Sequence, residues 1–196
     1  MTNDFSILSQ LIKNRRSTKP ALFNGSKIPN VQVEQLLELA DWAPTHTFSE
    51  PWRFVVYSGE KVNDFSRQHA LLYKQFTPVE KFMEGKFNSI ITNGEKSSHL
   101  IVCIMKRSNE KIPVMEELSA VSCAIQNILL GATALDIATL WSTGGMVLHT
   151  ALKNYFQLQE QDHIVGLLFL GKTAEHIKGH RRIPLQDKIV WHGKGQ

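Results

Sequence analysis

The sequence predicts a single α+β domain spanning residues 1–196. Three observations carry that reading: apolar residues at helical spacing early in the chain, three short runs with strand character, and an irregular order of the two without a repeating βαβ unit. With 196 residues and 42% hydrophobic side chains, the chain is long enough to bury one sizeable core. No internal repeat, low-complexity tract or long linker divides it.

The first helix is predicted from about Asp4 to Asn14, where Phe5, Leu8, Leu11 and Ile12 share a face. A second runs from about Val31 to Trp42. Pro29 and Asn30 signal its start, Leu36, Leu37, Leu39 and Ala40 give it an apolar side, and Pro44 ends it. "RFVVYSG" then reads as a strand followed by a turn. The stretch from Phe65 to Asn93 is only weakly helical and is punctuated by Pro78 and Gly85, and Thr77 to Glu95 carries no recognisable role. "HLIVCIMK", His99 to Lys106, is a strand whose lack of alternation predicts full burial. The longest apolar segment, Leu118 to Leu140, follows. Gln126, Asn127 and Asp136 interrupt it and Glu116 and Glu117 stand at its start, so it reads as a helix buried in a core or dimer interface rather than a membrane span. A short helix near Leu148 to Phe156 and a third strand, "HIVGLLFLG" from His163 to Gly171, complete the elements.

Twenty-two basic against 18 acidic side chains give a net charge of +4. Residues 171–196 hold six Lys or Arg against Glu175 and Asp187, so that tail alone accounts for +4. A nucleic-acid binder has a denser basic stripe with aromatics or a docking motif; a small phosphate-bearing ligand fits this modest excess better. Cys103 and Cys123 lie far apart in apolar runs, which predicts two buried thiols in a reducing compartment. "MTNDFSILSQ" lacks the basic and apolar regions of a signal peptide, so the expected location is cytoplasmic.

Familiar catalytic patterns are missing. There is no G-x-G-x-x-G, no G-x-x-x-x-G-K-[ST] and no G-x-S-x-G. His176 and His180 are four apart, but Gly179 intervenes and no third ligand is near, so "EHIKGHRR" reads as a solvated basic loop and no metal site is expected. What remains is a pair of arginine clusters. "NRRST" closes the first helix with Arg15 and Arg16 followed by Ser17; guanidinium forks and a hydroxyl suit an anionic or polar heteroaromatic ligand, and equally suit a helix C-terminus that needs positive charge. "RRIP", Arg181 to Pro184, repeats the theme, and its plain reading is surface charge.

"LADWAPTHTFSEPWRF" breaks a helical pattern with prolines, a histidine and tryptophans. It resembles the pattern EAxxAPSxxNxQPWRF of the FMN-dependent nitroreductase family. The resemblance continues through "RRST", "SAVSCAIQNILLGATAL", "LWSTGG", "EQDHIVGLLFLG" and "RRIPLQDKIVWH", in that order, and is strongest with the compact single-domain NAD(P)H nitroreductase branch. It implies a nitroreductase-like three-layer fold: a central mixed sheet, helices on both sides and a long buried dimer-interface helix.

For individual residues the resemblance implies that Arg15, Arg16 and Ser17 contact the FMN phosphate, ribityl chain or pyrimidine edge, with Arg182 a further phosphate ligand. Arg16 is the candidate to stabilise the reduced ring at N1 and O2. Trp42 and His46 would sit beside the flavin of the partner subunit of a homodimer, and Trp141, Ser142 and Thr143 would cross its ring; for the two tryptophans, core packing is the plainer alternative. The implied activity is hydride transfer from NADH or NADPH through the flavin to a nitroaromatic or quinone acceptor, by a ping-pong mechanism with the chemistry on the flavin. Two departures from the pattern stand out: Glu50 replaces a frequent Gln, and Ser142 a frequent Arg. Alternatives are a non-catalytic flavin-binding relative, or a flavoenzyme of dehalogenation or flavin fragmentation.

Overall fold

The computed structural model describes residues 3–107 and 110–193. Helix α1, Asn3–Asn14, forms where the apolar spacing predicts it, yet buries none of its residues; Phe5, Leu8 and Ile12 face solvent. Helix α2, Asn30–Asp41, starts after Pro29 and buries Val33, Leu36 and Ala40. Strand β1 is Trp52–Ser58.

The weakly helical stretch is two helices, α3 (Glu60–Phe76) and α4 (Glu84–Glu95). Ser66 and His69 lie buried on the same α3 stripe as Val62, Phe65, Ala70 and Tyr73, and these polar interruptions hide its amphipathic period. Pro78 falls in the connection, and Gly85 in the first turn of α4. At Gly94 the two helices touch so closely that a Cβ would stand 2.6 Å from the Ser66 hydroxyl.

Strand β2, His99–Met105, is buried at all seven positions. Helix α5 is Val114–Ala134: Pro113 precedes it, and Glu116 and Glu117 sit in its first turn, where the helix dipole favours carboxylates. The apolar run Leu118 to Leu140 is thus not one helix. Asp136 adopts φ 53°, in the left-handed region that stops a helix, and the chain re-emerges as strand β3, Ala138–Ser142. Helix α6, Thr150–Tyr155, and strand β4, His163–Gly171, follow.

The sheet order is β1-β2-β4-β3. All three pairings are antiparallel, which corrects the expectation of a mixed sheet; parallel character enters through one isolated bridge, Ser17 to Thr139. The strand pleat sends alternate side chains to two cores. Ile101, Cys103, Met105, Leu168 and Leu170 pack with α2 and α5, whereas Leu100, Val102, Ile104, Leu167 and Phe169 pack with α3 and α6. Helices therefore cover both faces, as expected, and each fully buried Leu or Ile contributes about 1.5–3 kcal/mol.

Cys103 is buried and its thiol is pushed well up by desolvation, but Cys123 is exposed on α5, against the expectation of two buried thiols. Cys123 lines a cleft between α5 and the loop that carries Pro44 and His46. No helix among the described residues is long and apolar enough to cross a membrane.

Candidate functional site

The loop between α2 and β1 is clamped at its ends. The Trp52 indole N–H donates to Asp41 at 2.8 Å, and the Lys106 backbone N–H donates to the Pro51 carbonyl at 2.8 Å. Between these anchors the chain is forced into an uncommon path: Thr47, Phe48 and Glu50 all take positive φ, at 51°, 54° and 41°. Such conformations cost of order 1–3 kcal/mol each and persist where surrounding contacts fix them. Here the Thr45 hydroxyl meets the Ser49 hydroxyl at 2.7 Å and accepts the Glu50 N–H at 3.2 Å. The result is a display of aromatic side chains, Trp42 82% and Phe48 91% exposed, beside an exposed Glu50. His46 leaves the same loop toward α5, its Nδ1 lying 2.6 Å from a Glu116 carboxylate oxygen.

The first arginine cluster meets the start of the basic tail. Arg16 donates through Nε to the Ile177 carbonyl at 3.0 Å and through Nη1 to the Lys13 and Arg15 carbonyls at 2.5 and 2.9 Å. Its guanidinium lies against Gly179, where a Cβ would come within 2.3 Å. Arg16 therefore staples the start of the basic tail to the end of α1, and its donors on Nε and Nη1 are committed to carbonyls. Arg15 is half-buried, Ser17 exposed, and Arg182 exposed in the tail beyond the staple. Thr18 N–H donates to the Thr139 carbonyl at 2.8 Å, which joins the Ser17 bridge in holding this segment along β3. His176 and His180 are exposed on an irregular segment rather than a helix face. No group of three potential metal ligands occurs among the described residues.

Trp141 is half-buried in the α5-side core, with its N–H donating to the Val165 carbonyl at 3.2 Å across Gly166, where a Cβ would collide with the indole. Its neighbours turn outward to the opposite face. The Ser142 hydroxyl accepts the Gly144 N–H at 3.2 Å, Thr143 is exposed, and Gly145 takes φ 67°. A Cβ at Gly145 would lie 2.4 Å from His69 Nε2. That nitrogen accepts the Met146 N–H at 2.8 Å, so His69 fixes the glycine turn from beneath. Burial, with the Lys86 ammonium nearby, lowers the His69 pKa to about 4, and its ring is neutral at ordinary pH.

Between this turn and α4 is a hollow of about 160 Å³, walled by His69, Lys86, Asn93, Ser142, Gly144 and Gly145 among others. It offers a cation, a neutral imidazole, an amide and a hydroxyl beside a glycine backbone, a donor set suited to a flat, carbonyl-rich or anionic group. Sequence reasoning reached Ser142 but missed His69, Lys86 and Asn93. Nothing in their local spacing marks them, because α3, α4 and the turn converge only through the sheet.

The described elements match those of known proteins. A model of the Nitroreductase family matches residues 12–172. "Putative NAD(P)H nitroreductase YfhC" of Bacillus subtilis is 27% identical over 187 residues, covering 94% of each chain. Among solved structures, a nitroreductase-like family protein from Bacillus cereus superposes with a TM-score of 0.83 at 24% identity, over 95% of this chain and 96% of that one. The FMN-dependent nitroreductase NfnB from Mycobacterium smegmatis, in complex with NADPH, gives 0.72 at 13% identity over 97% and 100%. The family match extends from the end of α1 through β4 and includes the strained loop, the arginine cluster and the glycine turn; the chain belongs to the Nitroreductase family.

Proposed function

We propose that the protein is an FMN-dependent oxidoreductase that takes hydride from NADH or NADPH and reduces nitroaromatic or quinone-type acceptors by a ping-pong mechanism, as a cytoplasmic homodimer with FMN at the subunit interface. The observation that carries the reading is the glycine turn Ser142 to Gly145, shaped from below by His69 and opening on the polar hollow, in a chain of this family. The donor set fits the group. Gly145 lacks the Cβ that would strike the His69 ring, so the turn lies close over that imidazole at the edge of the hollow, and Lys86 supplies positive charge at the same hollow.

FMN, when bound, supplies the hydride-accepting and hydride-donating ring. The protein's own residues bind and orient it. Arg15, Ser17 and Arg182 are the candidates for its phosphate and ribityl chain, Ser142 and Thr143 for the ring, and Trp42 and His46 for contacts from the partner subunit. Arg16 keeps a role through the tail it staples, which carries Arg182. Trp141 supports the turn from the core side.

A second reading, a flavin-binding protein without turnover, is favoured by one observation: Glu50 is an exposed carboxylate in the strained loop, a charge that repels an anionic hydride donor. One experiment separates the two. Protein reconstituted with FMN is followed anaerobically in the visible while NADPH and NADH are added separately. Bleaching by either establishes the oxidoreductase, and oxidation by a nitroaromatic or quinone restores the band. A band that only dithionite removes selects the binding protein, and failure to take up FMN sinks both.

A further inference from the structure

We infer that Glu116 is a positioning residue for His46, fixing the tautomer in which His46 Nε2 is the acceptor turned to the bound ligand. The inference rests on the flavin reading above and adds to it a residue outside the candidate set. His46 Nδ1 lies 2.6 Å from Glu116 Oε2. An ionised carboxylate only accepts, so Nδ1 carries the proton, and in the neutral ring Nε2 keeps its lone pair. Free neutral histidine favours the opposite tautomer, with the proton on Nε2, so the pairing selects the rarer form.

The pair joins two fixed pieces of backbone 70 residues apart. His46 belongs to the loop held by Thr45, Ser49 and the three positive-φ residues. Glu116 is set in the first turn of α5, where its N–H bonds the Pro113 carbonyl. Neither side chain is buried, with side-chain exposures of 54% and 45%. A contact between charged-type side chains so exposed adds little to stability. Orientation of the imidazole is what the geometry accomplishes. Beside the pair runs a cleft of about 330 Å³ with mostly apolar walls, Pro44, Met115, Ala120 and Cys123 among them. A ligand lying along these walls finds in His46 a hydrogen-bond acceptor, which selects for a ring N–H or hydroxyl donor rather than a bare carbonyl.

The test compares the full-length protein with Glu116→Leu and Glu116→Gln. Nitrogen NMR of 15N-histidine-labelled protein, with His46 assigned by its loss in His46→Asn, reads the tautomer; titration with FMN reads the affinity. Wild type is expected to show Nδ1–H. Glu116→Leu is expected to shift His46 to Nε2–H and weaken FMN binding about tenfold, while Glu116→Gln, whose amide oxygen still accepts, stays within two- to threefold of wild type on the order expected for a retained hydrogen bond. Unchanged thermal midpoints in both variants separate positioning from folding. An Nε2–H tautomer in wild type, or a tautomer shift in Glu116→Leu that leaves FMN affinity intact, overturns the inference while the flavin reading stands. Wild type that fails to bind FMN removes both.

Discussion

His69 shows how one buried side chain ties the site to pH. Desolvation, assisted by Lys86, holds its pKa at about 4 against an ordinary 6.5. As pH falls below 6.5 the unfolded chain takes up a proton at this position before the folded chain does, so folding stability declines. The contribution is complete above pH 6.5, is lost progressively toward pH 4, and levels off below it. A shift of this size corresponds to about 3 kcal/mol across that window. Urea midpoints measured from pH 7 to pH 4 are expected to fall steeply in wild type and less steeply in His69→Gln, whose amide oxygen can still accept the Met146 N–H but does not titrate. Parallel slopes in the two proteins would assign the acid sensitivity elsewhere. None of this is visible in the sequence, where His69 is one polar residue in an ill-patterned stretch. The arginines and His46 announce themselves by composition and by the proline-rich loop. Their partners do not, since Ile177, Gly179 and Glu116 meet them only after the chain has folded.

Among the elements, legibility follows how far local pattern decides structure. After an opening histidine in each, strands β2 and β4 are apolar and largely buried, and their limits are readable almost to the residue. Strand β3 is not: it continues the apolar run of α5, and the break at Asp136 is a backbone conformation rather than a turn sequence. Helix α3 is obscured by buried polar groups such as His69, whose ring nitrogen finds the Met146 N–H only once the glycine turn has folded over it. The junction of β2 with α5 has the same character. Arg107, just past β2, pairs through Nη1 with Glu117, which is 1% exposed in the first turn of α5. Asp162 ties in the turn before β4, accepting the Arg107 and Gln159 N–H groups, both at 2.9 Å. Removing one member of a buried pair strands the other charge, and Glu117→Ala is expected to cost about 3–5 kcal/mol. Denaturant unfolding measures this. A loss below about 1 kcal/mol would mean that Arg107 finds water or another carboxylate, and that the pair behaves like a surface one.

At the scale of the whole molecule, the single chain leaves its apolar surface unfinished. Phe5, Leu8 and Ile12 on α1, Trp42 and Phe48 around the strained loop, and Met115 on α5 are all exposed. Soluble monomers rarely leave so many large apolar side chains in view, and α1 buries nothing within its own chain. Along the chain these residues adjoin the arginine cluster after α1 and His46 in the loop. A second copy covering them would bring His46 and Trp42 to its partner's site, as the proposed dimer requires. Sedimentation equilibrium is expected to give about twice the 22.2 kDa of the chain. Leu8→Glu combined with Ile12→Glu places two carboxylates on the uncovered face of α1, and should shift the protein toward monomer with little effect on the chain's own core, because neither side chain is buried in it. If both subunits build each flavin site, FMN uptake must fall in step with dimer content across a dilution series of this variant. A monomer that binds FMN with undiminished affinity would show that one chain suffices, and would confine the binding residues to the arginine cluster, the basic tail and the glycine turn.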